Sequence, residues 1–255
     1  MHKETILVYD GSFYGFLCAI FACYEQKLKV SDFCTEYNNQ KGLFAHTQHI
    51  TTEESKAKRV INGLKKRNKQ VVKLLHYAFL SEHKNIEMLL YYLISSTLSK
   101  SSNEVQNYSD DHILQIRKIA KSVGREKHRM EAFVRFQLTK DQIFFATIEP
   151  DFNVIPLITK HFAERYADQK WIIYDVKRSY GVYYDLQKAA HITLDIKEKY
   201  TNSIHKNKAF TESEYEYQNL WNNYFKSTNI TSRVNLKLHT QHVPKRYWKY
   251  LSEKM

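Results

Sequence analysis

The chain has 255 residues and a net charge of +12, with 43% hydrophobic and 14% aromatic residues and only six glycines and three prolines. That balance excludes a disordered chain and leaves little linker material. A field of this sign attracts polyanions, so nucleic acid (DNA or RNA) ranks ahead of acidic proteins and anionic lipid as a partner class, the bland alternative being a composition that merely favours lysine.

Residues 5–9 read as a buried strand, turned by Asp10-Gly11-Ser12, with Ser12 placed to cap a helix. Phe13, Phe16, Leu17, Ile20, Phe21 and Tyr24 then recur on one helical face. Cys18 and Cys23, five apart on that helix, face different ways. With Cys34 they make an odd, unpaired set that fits neither a disulfide framework nor a metal or iron–sulfur site. The expectation is reduced thiols in a cytoplasmic protein that needs no cofactor. No signal peptide and no membrane association are expected, since Lys3 and Glu4 precede a strand-like run and no apolar run reaches membrane-spanning length.

A strand over 43–50 precedes helical patterning that runs, with breaks, to about residue 99. Within it, Lys56 to Lys73 carries eight lysines and arginines and no acid. A polar loop follows, then a helix marked by Ile113, Ile116, Ala120 and Val123, which Gly124 is expected to end. Alternation over 131–138 predicts a strand, Asp141-Gln142 a hairpin turn, and 143–148 a second strand closed by Pro150. Pro156 suits the first turn of a helix. Two strands, 171–175 and 180–184, are joined across Lys177-Arg178-Ser179. Residues 195–212 read as loop, followed by a helix with Tyr217, Leu220, Trp221, Tyr224 and Phe225 on its apolar face, then a basic, aromatic and irregular C-terminal arm. The fold class is α+β: an antiparallel sheet with helices packed on it, a helical N-terminal half and a basic arm. One domain is expected over 1–255, helix-rich over 1–130, sheet-rich over 131–195, with helix and arm over 196–255.

Four clusters carry candidate chemistry. Gly124-Arg125-Glu126-x-His128-Arg129-Met130 reads as a short polar junction between helix and strand, supplying phosphate-binding arginines, a carboxylate and a titratable histidine. Substitutions at Glu126 and His128 are expected to leave stability little changed. Beyond the junction, Arg135 shares a strand face with Phe133, charge for phosphate and ring for base. Asp175-x-Lys177-Arg178 places two cations at a tight connection, a phosphate clamp or an ordinary charged hairpin. Arg233-x-Asn235, Gln241-His242 and Pro244-Lys245-Arg246-Tyr247-Trp248 alternate basic and aromatic residues, as a binding arm or a docked one would. Asp10-Gly11-Ser12 at a strand end admits a catalytic carboxylate, although a turn and cap explain all three residues.

Tyr9-Asp10-Gly11-Ser12-Phe13-x-Gly15-Phe16-Leu17, the junction with Phe133-Val134-Arg135-Phe136, Trp171-x-Ile173-x-Asp175-x-Lys177-Arg178-x-x-Gly181, and Gln241-x-x-Pro244-x-Arg246-Tyr247-Trp248 together resemble a bacterial family described as putative DNA-metabolism proteins, a domain of unknown function. The resemblance implies a gene neighbour encoding a radical-SAM protein of DNA modification or repair, and a uracil-DNA-glycosylase-like domain fused in some members. The 255 residues hold no such second domain and no Cys-x-x-x-Cys-x-x-Cys, so radical chemistry would come from the partner. The resulting expectation is a nucleic-acid-binding component, with Arg125, Arg129, Arg135, Lys177, Arg178 and Arg246 on phosphate and Phe133, Tyr247 and Trp248 stacking on bases. A nuclease or base-modifying enzyme using Asp10, Glu126, His128 and Asp175 is the alternative. A scaffold for an acidic protein is the third reading.

Overall fold

The computed structural model describes residues 4–36, 46–99, 109–193, 210–211, 213–214, 216–217, 219–221, 223, 236–251 and 254. The chain divides into two compact units, 1–124 and 125–255.

The first unit is built on β1 (Thr5–Tyr9), whose side chains are almost all buried, as suits the centre of a parallel sheet. β2 (Val30–Thr35) and β3 (His46–His49) pair with it on either side, both parallel. Parallel pairing demands a crossover, and α1 (Phe13–Glu25) supplies it between β1 and β2. Ser12 caps α1, its hydroxyl accepting from the Gly15 N–H at 2.8 Å. α2 (Glu54–Arg67), α3 (Lys69–Phe79) and α4 (Ile86–Ser99) follow. Phe16, Leu64, Leu75, Leu90 and Ile113 belong to one buried core with Leu7.

α5 (Asp111–Phe133) corrects the expected junction: the helix runs through Gly124 without stopping. Buried positions continue at Val123, Glu126, Met130 and Val134, a helical period that outweighs the alternation seen over 131–138. A Cβ at Gly124 would meet Tyr77 at an ordinary 3.6 Å, so this glycine answers no backbone demand. The predicted strand shrinks to β4 (Gln137–Leu138).

The second unit holds a five-stranded sheet in the order β4-β5-β6-β7-β8, with β5 (Phe144–Ile148), β6 (Trp171–Asp175), β7 (Tyr180–Tyr184) and β8 (Ala189–Ile192). The sheet is mixed rather than antiparallel. β5 and β6 run parallel because α6 (Ile155–Arg165), with Pro156 in its first turn, carries the chain back between them. The remaining pairs are antiparallel. Gly181 on β7 is required by close approach: a Cβ there would sit 2.5 Å from the Ile173 carbonyl oxygen of β6. α7 (Leu236–His242) and a 3-10 helix (Lys245–Tyr250) give the C-terminal arm regular structure that its sequence did not announce. The loop expected over 195–212 falls almost wholly outside the described residues, as do Tyr224, Phe225, Arg233 and Asn235. Tyr217, Leu220 and Trp221 are helical and exposed.

Candidate anion-binding cleft

Because β5 and β6 are parallel and in register from Phe144↔Trp171 to Ile148↔Asp175, both finish at the same edge of the sheet. The backbone holds them together one step further, the Val176 N–H donating to the Ile148 carbonyl at 3.0 Å. The segments that leave those ends, Glu149-Pro150-Asp151 and Val176-Lys177-Arg178-Ser179, therefore lie side by side. Ligands of parallel sheets collect at such carboxyl ends.

Asp175 anchors the second segment. It is fully buried, and its carboxylate accepts from the Lys177 and Arg178 backbone N–H groups at 2.9 and 3.2 Å and from Arg178 Nη1 at 2.8 Å. Burial pushes its carboxyl above the usual range against the opposing pull of Arg178. Arg178 also donates to the carbonyl oxygens of Pro150 and Asp151, at 3.2 and 3.1 Å. Its guanidinium is spent on tying the two segments, and its side chain is only 9% exposed. Arg178, expected as one half of a phosphate clamp, is thus held between two backbone segments and Asp175. Lys177 stays exposed, with Nζ 3.1 Å from the Asp151 carbonyl.

Glu126 of α5 is the second anchor, 1% exposed. Its Oε1 accepts from the Asp151 N–H at 2.9 Å and from the Tyr247 hydroxyl. Its Oε2 accepts from Arg246 Nη2 at 3.0 Å, with Arg129 Nη1 at 3.7 Å. Arg246 bridges on to Asp151 Oδ2 at 2.7 Å while its side chain remains 42% exposed. Glu126 thus fastens the C-terminal 3-10 helix and the Glu149–Asp151 segment to α5. The expectation that it sits in a polar junction of little structural weight is overturned, since a helix running past Gly124 turns it inward.

The residues so held surround a cleft of about 390 Å³ lined by Glu149, Pro150, Asp151, Lys177, Lys245, Arg246 and Lys249. Four cations face two carboxylates. Glu149 accepts from Lys249 and, at 2.6 Å, from the Tyr250 hydroxyl. The Lys249 ammonium, with Tyr250 behind it, holds the Glu149 carboxyl below the usual range. Glu149, Asp151 and Lys249 were not singled out by sequence. The signal that was there is a Pro-containing acidic break directly after a buried strand.

Other expected residues fall elsewhere. Tyr247 is 2% exposed, with its ring 5.6 Å from the half-buried Phe133, so Tyr247 presents no free stacking face. Burial and then Glu126 push the Tyr247 hydroxyl above its ordinary value. Trp248 is half-buried, its indole N–H donating to the Val243 carbonyl at 3.0 Å. Arg135 shares no strand with Phe133. Its guanidinium donates to the Ala132 and Val134 carbonyls at 2.7 and 3.3 Å, satisfying the C-terminal end of α5. Arg125 is exposed on α5. His128, two residues from Glu126 and so on another face, has a side chain 88% exposed, 3.9 Å from Glu131.

Asp10 belongs to the first unit, at the carboxyl end of β1. It accepts from the Ser12 N–H at 2.9 Å and the Thr52 hydroxyl at 2.8 Å. A Cβ at Gly15 would lie 2.1 Å from its Oδ1, which is why residue 15 is glycine. Burial would raise its carboxyl, but the Ser12 and Thr52 hydrogen bonds hold it below the usual range. Among the described residues, no group of three or more His, Cys, Asp or Glu is placed to hold a metal ion, and no helix is long and apolar enough to cross a membrane.

Residues 84–253 match a family described as a domain of unknown function, DUF4130. The chain belongs to that family. The DUF4130 match takes in Glu126, the Glu149–Asp151 segment, Asp175–Arg178 and the 3-10 helix, which are the parts that build the cleft. It leaves out Asp10 and most of the first unit. Comparison with curated proteins matched nothing, and comparison with solved structures likewise matched nothing.

Proposed function

We propose that the protein is a nucleic-acid-binding component of a DNA repair or modification system, and that the cleft is where it takes a phosphate group. The observation that carries this reading is the gathering of Lys177, Lys245, Arg246 and Lys249 around one opening at the carboxyl ends of two parallel strands. Cations crowded together repel, and the arrangement is stabilised by an anion in their midst. Glu149 and Asp151 hold Lys249 and Arg246 in position when no anion is present. The resemblance of the motifs to putative DNA-metabolism proteins supports DNA as the polyanion. It also supports a radical-SAM protein, and a uracil-DNA-glycosylase-like protein, as the partners that bring the chemistry.

The enzymic alternative is served less well. Glu126 and Asp175 are buried and engaged with cations and backbone N–H groups, and His128 faces away from Glu126.

The test is titration of single- and double-stranded oligonucleotides over a range of salt concentrations, with the triple variant Lys177→Ala, Lys245→Ala, Lys249→Ala alongside. Affinity should fall as salt rises. The variant should flatten the slope of log K against log salt by about 2, at roughly 0.7–0.9 for each phosphate it no longer neutralises. No binding at low salt, or an unaltered slope, would sink the proposal.

A further inference from the structure

The eight-cation, acid-free stretch on α2 and α3 belongs to the first unit and is no part of the cleft. Residues 55–81 contain no aspartate or glutamate. Lys58, Arg59, Lys65, Lys66, Arg67, Lys69 and Lys73 are all exposed. Lys58 pairs with Glu54, Arg59 lies over the Phe21 ring, and Lys73 lies over Tyr77. Among the described residues, no ion pair engages Lys65, Lys66, Arg67 or Lys69.

Helix stability accounts for part of this set. Lys65, Lys66 and Arg67 occupy the last turn of α2, where cations suit the helix dipole. Lys69 does not fit that explanation. It is the first residue of α3, whose first turn carries no acid, so its charge opposes the dipole. Gly63 is also unexplained by packing: a Cβ there would meet nothing within 4 Å. A glycine inside an exposed helix weakens it. Gly63 lies at i+4 from Arg59 and at i−3 and i−4 from Lys66 and Arg67, among the cations on one face. A bare backbone position there admits close approach of a partner's chain.

We infer that the α2–α3 face, on the other unit from the cleft, is a second surface for the nucleic-acid phosphate backbone. The chemistry favours a polyanion without apolar demands. Of the apolar residues of both helices, Ala57, Leu64, Val71, Leu75 and Ala78 are buried in the core, and Val60, Ile61, Val72, Leu74, Tyr77 and Phe79 are half-buried against it. No large hydrophobic between Tyr24 and Tyr92 is exposed among the described residues. A membrane-surface helix needs an apolar face to insert, and a protein interface needs aromatic or aliphatic anchors. Phosphate-backbone binding needs only charge and counterion release.

The experiment compares three versions of the full chain on one oligonucleotide series: wild type; Lys65→Gln, Lys66→Gln, Arg67→Gln, Lys69→Gln; and a control of equal net charge, Lys29→Gln, Lys140→Gln, Lys160→Gln, Lys170→Gln. The patch variant should lose roughly tenfold or more in affinity at low salt and flatten the salt slope by about 3. The control should keep nearly all of both. Equal losses in patch and control variants would reduce the surface to general basicity and overturn the inference, as would wild-type behaviour of the patch variant. So would binding to polyglutamate or to phosphatidylserine vesicles as tight as to DNA. Should the patch variant fail to fold, acetylation of the wild type decides: bound oligonucleotide must shield Lys65, Lys66 and Lys69 more than Lys160, and equal labelling rejects the surface. The cleft variant is read in parallel, so loss at one site with retention at the other separates the two readings.

Discussion

At the scale of single residues, the carboxylates of the second unit hold segments together. Glu126 has one carboxylate shared among a backbone N–H, a tyrosine hydroxyl and an arginine, inside a site almost closed to water. Removing one partner from such a set strands the others. Glu126→Ala should therefore cost about 3 kcal/mol and Glu126→Gln roughly 1–2 kcal/mol, the amide keeping the acceptor but losing the charge. Thermal melts check this, with His128→Ala as the exposed comparison that should stay within about 0.5 kcal/mol. Glu149 offers a pH readout. Lys249, then Tyr250, hold its folded carboxyl below the ordinary value of 4.5. The resulting stability is present above 4.5 and is lost as pH falls through the folded value. Lys249→Met removes the main cause, so the wild type should melt higher than the variant at neutral pH. The gap should close as pH drops below about 4. Both side chains are partly exposed, so the neutral-pH difference should stay under about 1 kcal/mol. A gap that widens on acidification would show that the pair does not set the Glu149 titration.

At the scale of elements, α2 carries a glycine that its own packing does not ask for. Gly63 is helical, is not among the glycines with positive φ, and has open space where a Cβ would go. Gly63→Ala should stabilise the protein by about 0.5–1 kcal/mol through helix propensity and a less free unfolded chain. Differential scanning calorimetry should register a Tm rise of about 1–3 °C. A fall in Tm would mean that the position is more crowded than its surroundings suggest. Elsewhere, element type followed local signals well: β1, α1, β6 and β7 lie where strand runs and helical period put them. The error at 131–138 came from a stretch satisfying both periods over a few residues. The burial of Glu126 and Met130 carries the helix on to Phe133 and leaves only Gln137–Leu138 as strand, and a buried glutamate looks polar to any pattern count. β2 and β8 were missed because Val30-Ser31-Asp32-Phe33 and Ala189-Ala190-His191-Ile192 are too mixed to read as strands alone. They are strands because a neighbour offers hydrogen bonds along its edge.

At the scale of the whole molecule, charge was legible at once and its arrangement was not. A net charge of +12, the acid-free stretch on α2 and α3 and the basic C-terminal arm are matters of composition and order. They set the class of partner to expect, since long-range attraction depends on total charge more than on fold. The four quoted motifs also pointed to a domain of unknown function, and DUF4130 matches over 84–253. What the tertiary structure alone decided is which cations gather at the cleft. Arg178 and Arg135 read as phosphate binders in sequence, yet Arg178 ties together Pro150, Asp151 and Asp175, and Arg135 donates through Nη1 to two backbone carbonyls. Lys245 was one more cation in a basic run and Lys249 drew no notice, yet both line the cleft. The reason is physical. Where a cation is held depends on which carbonyls and carboxylates come within about 3 Å: Arg135 meets carbonyls one and three residues away, whereas Lys177, Arg178, Arg246 and Lys249 meet partners 26 to 120 residues away along the chain. Only the parallel crossover through α6 and the docking of the 3-10 helix on Glu126 bring them together.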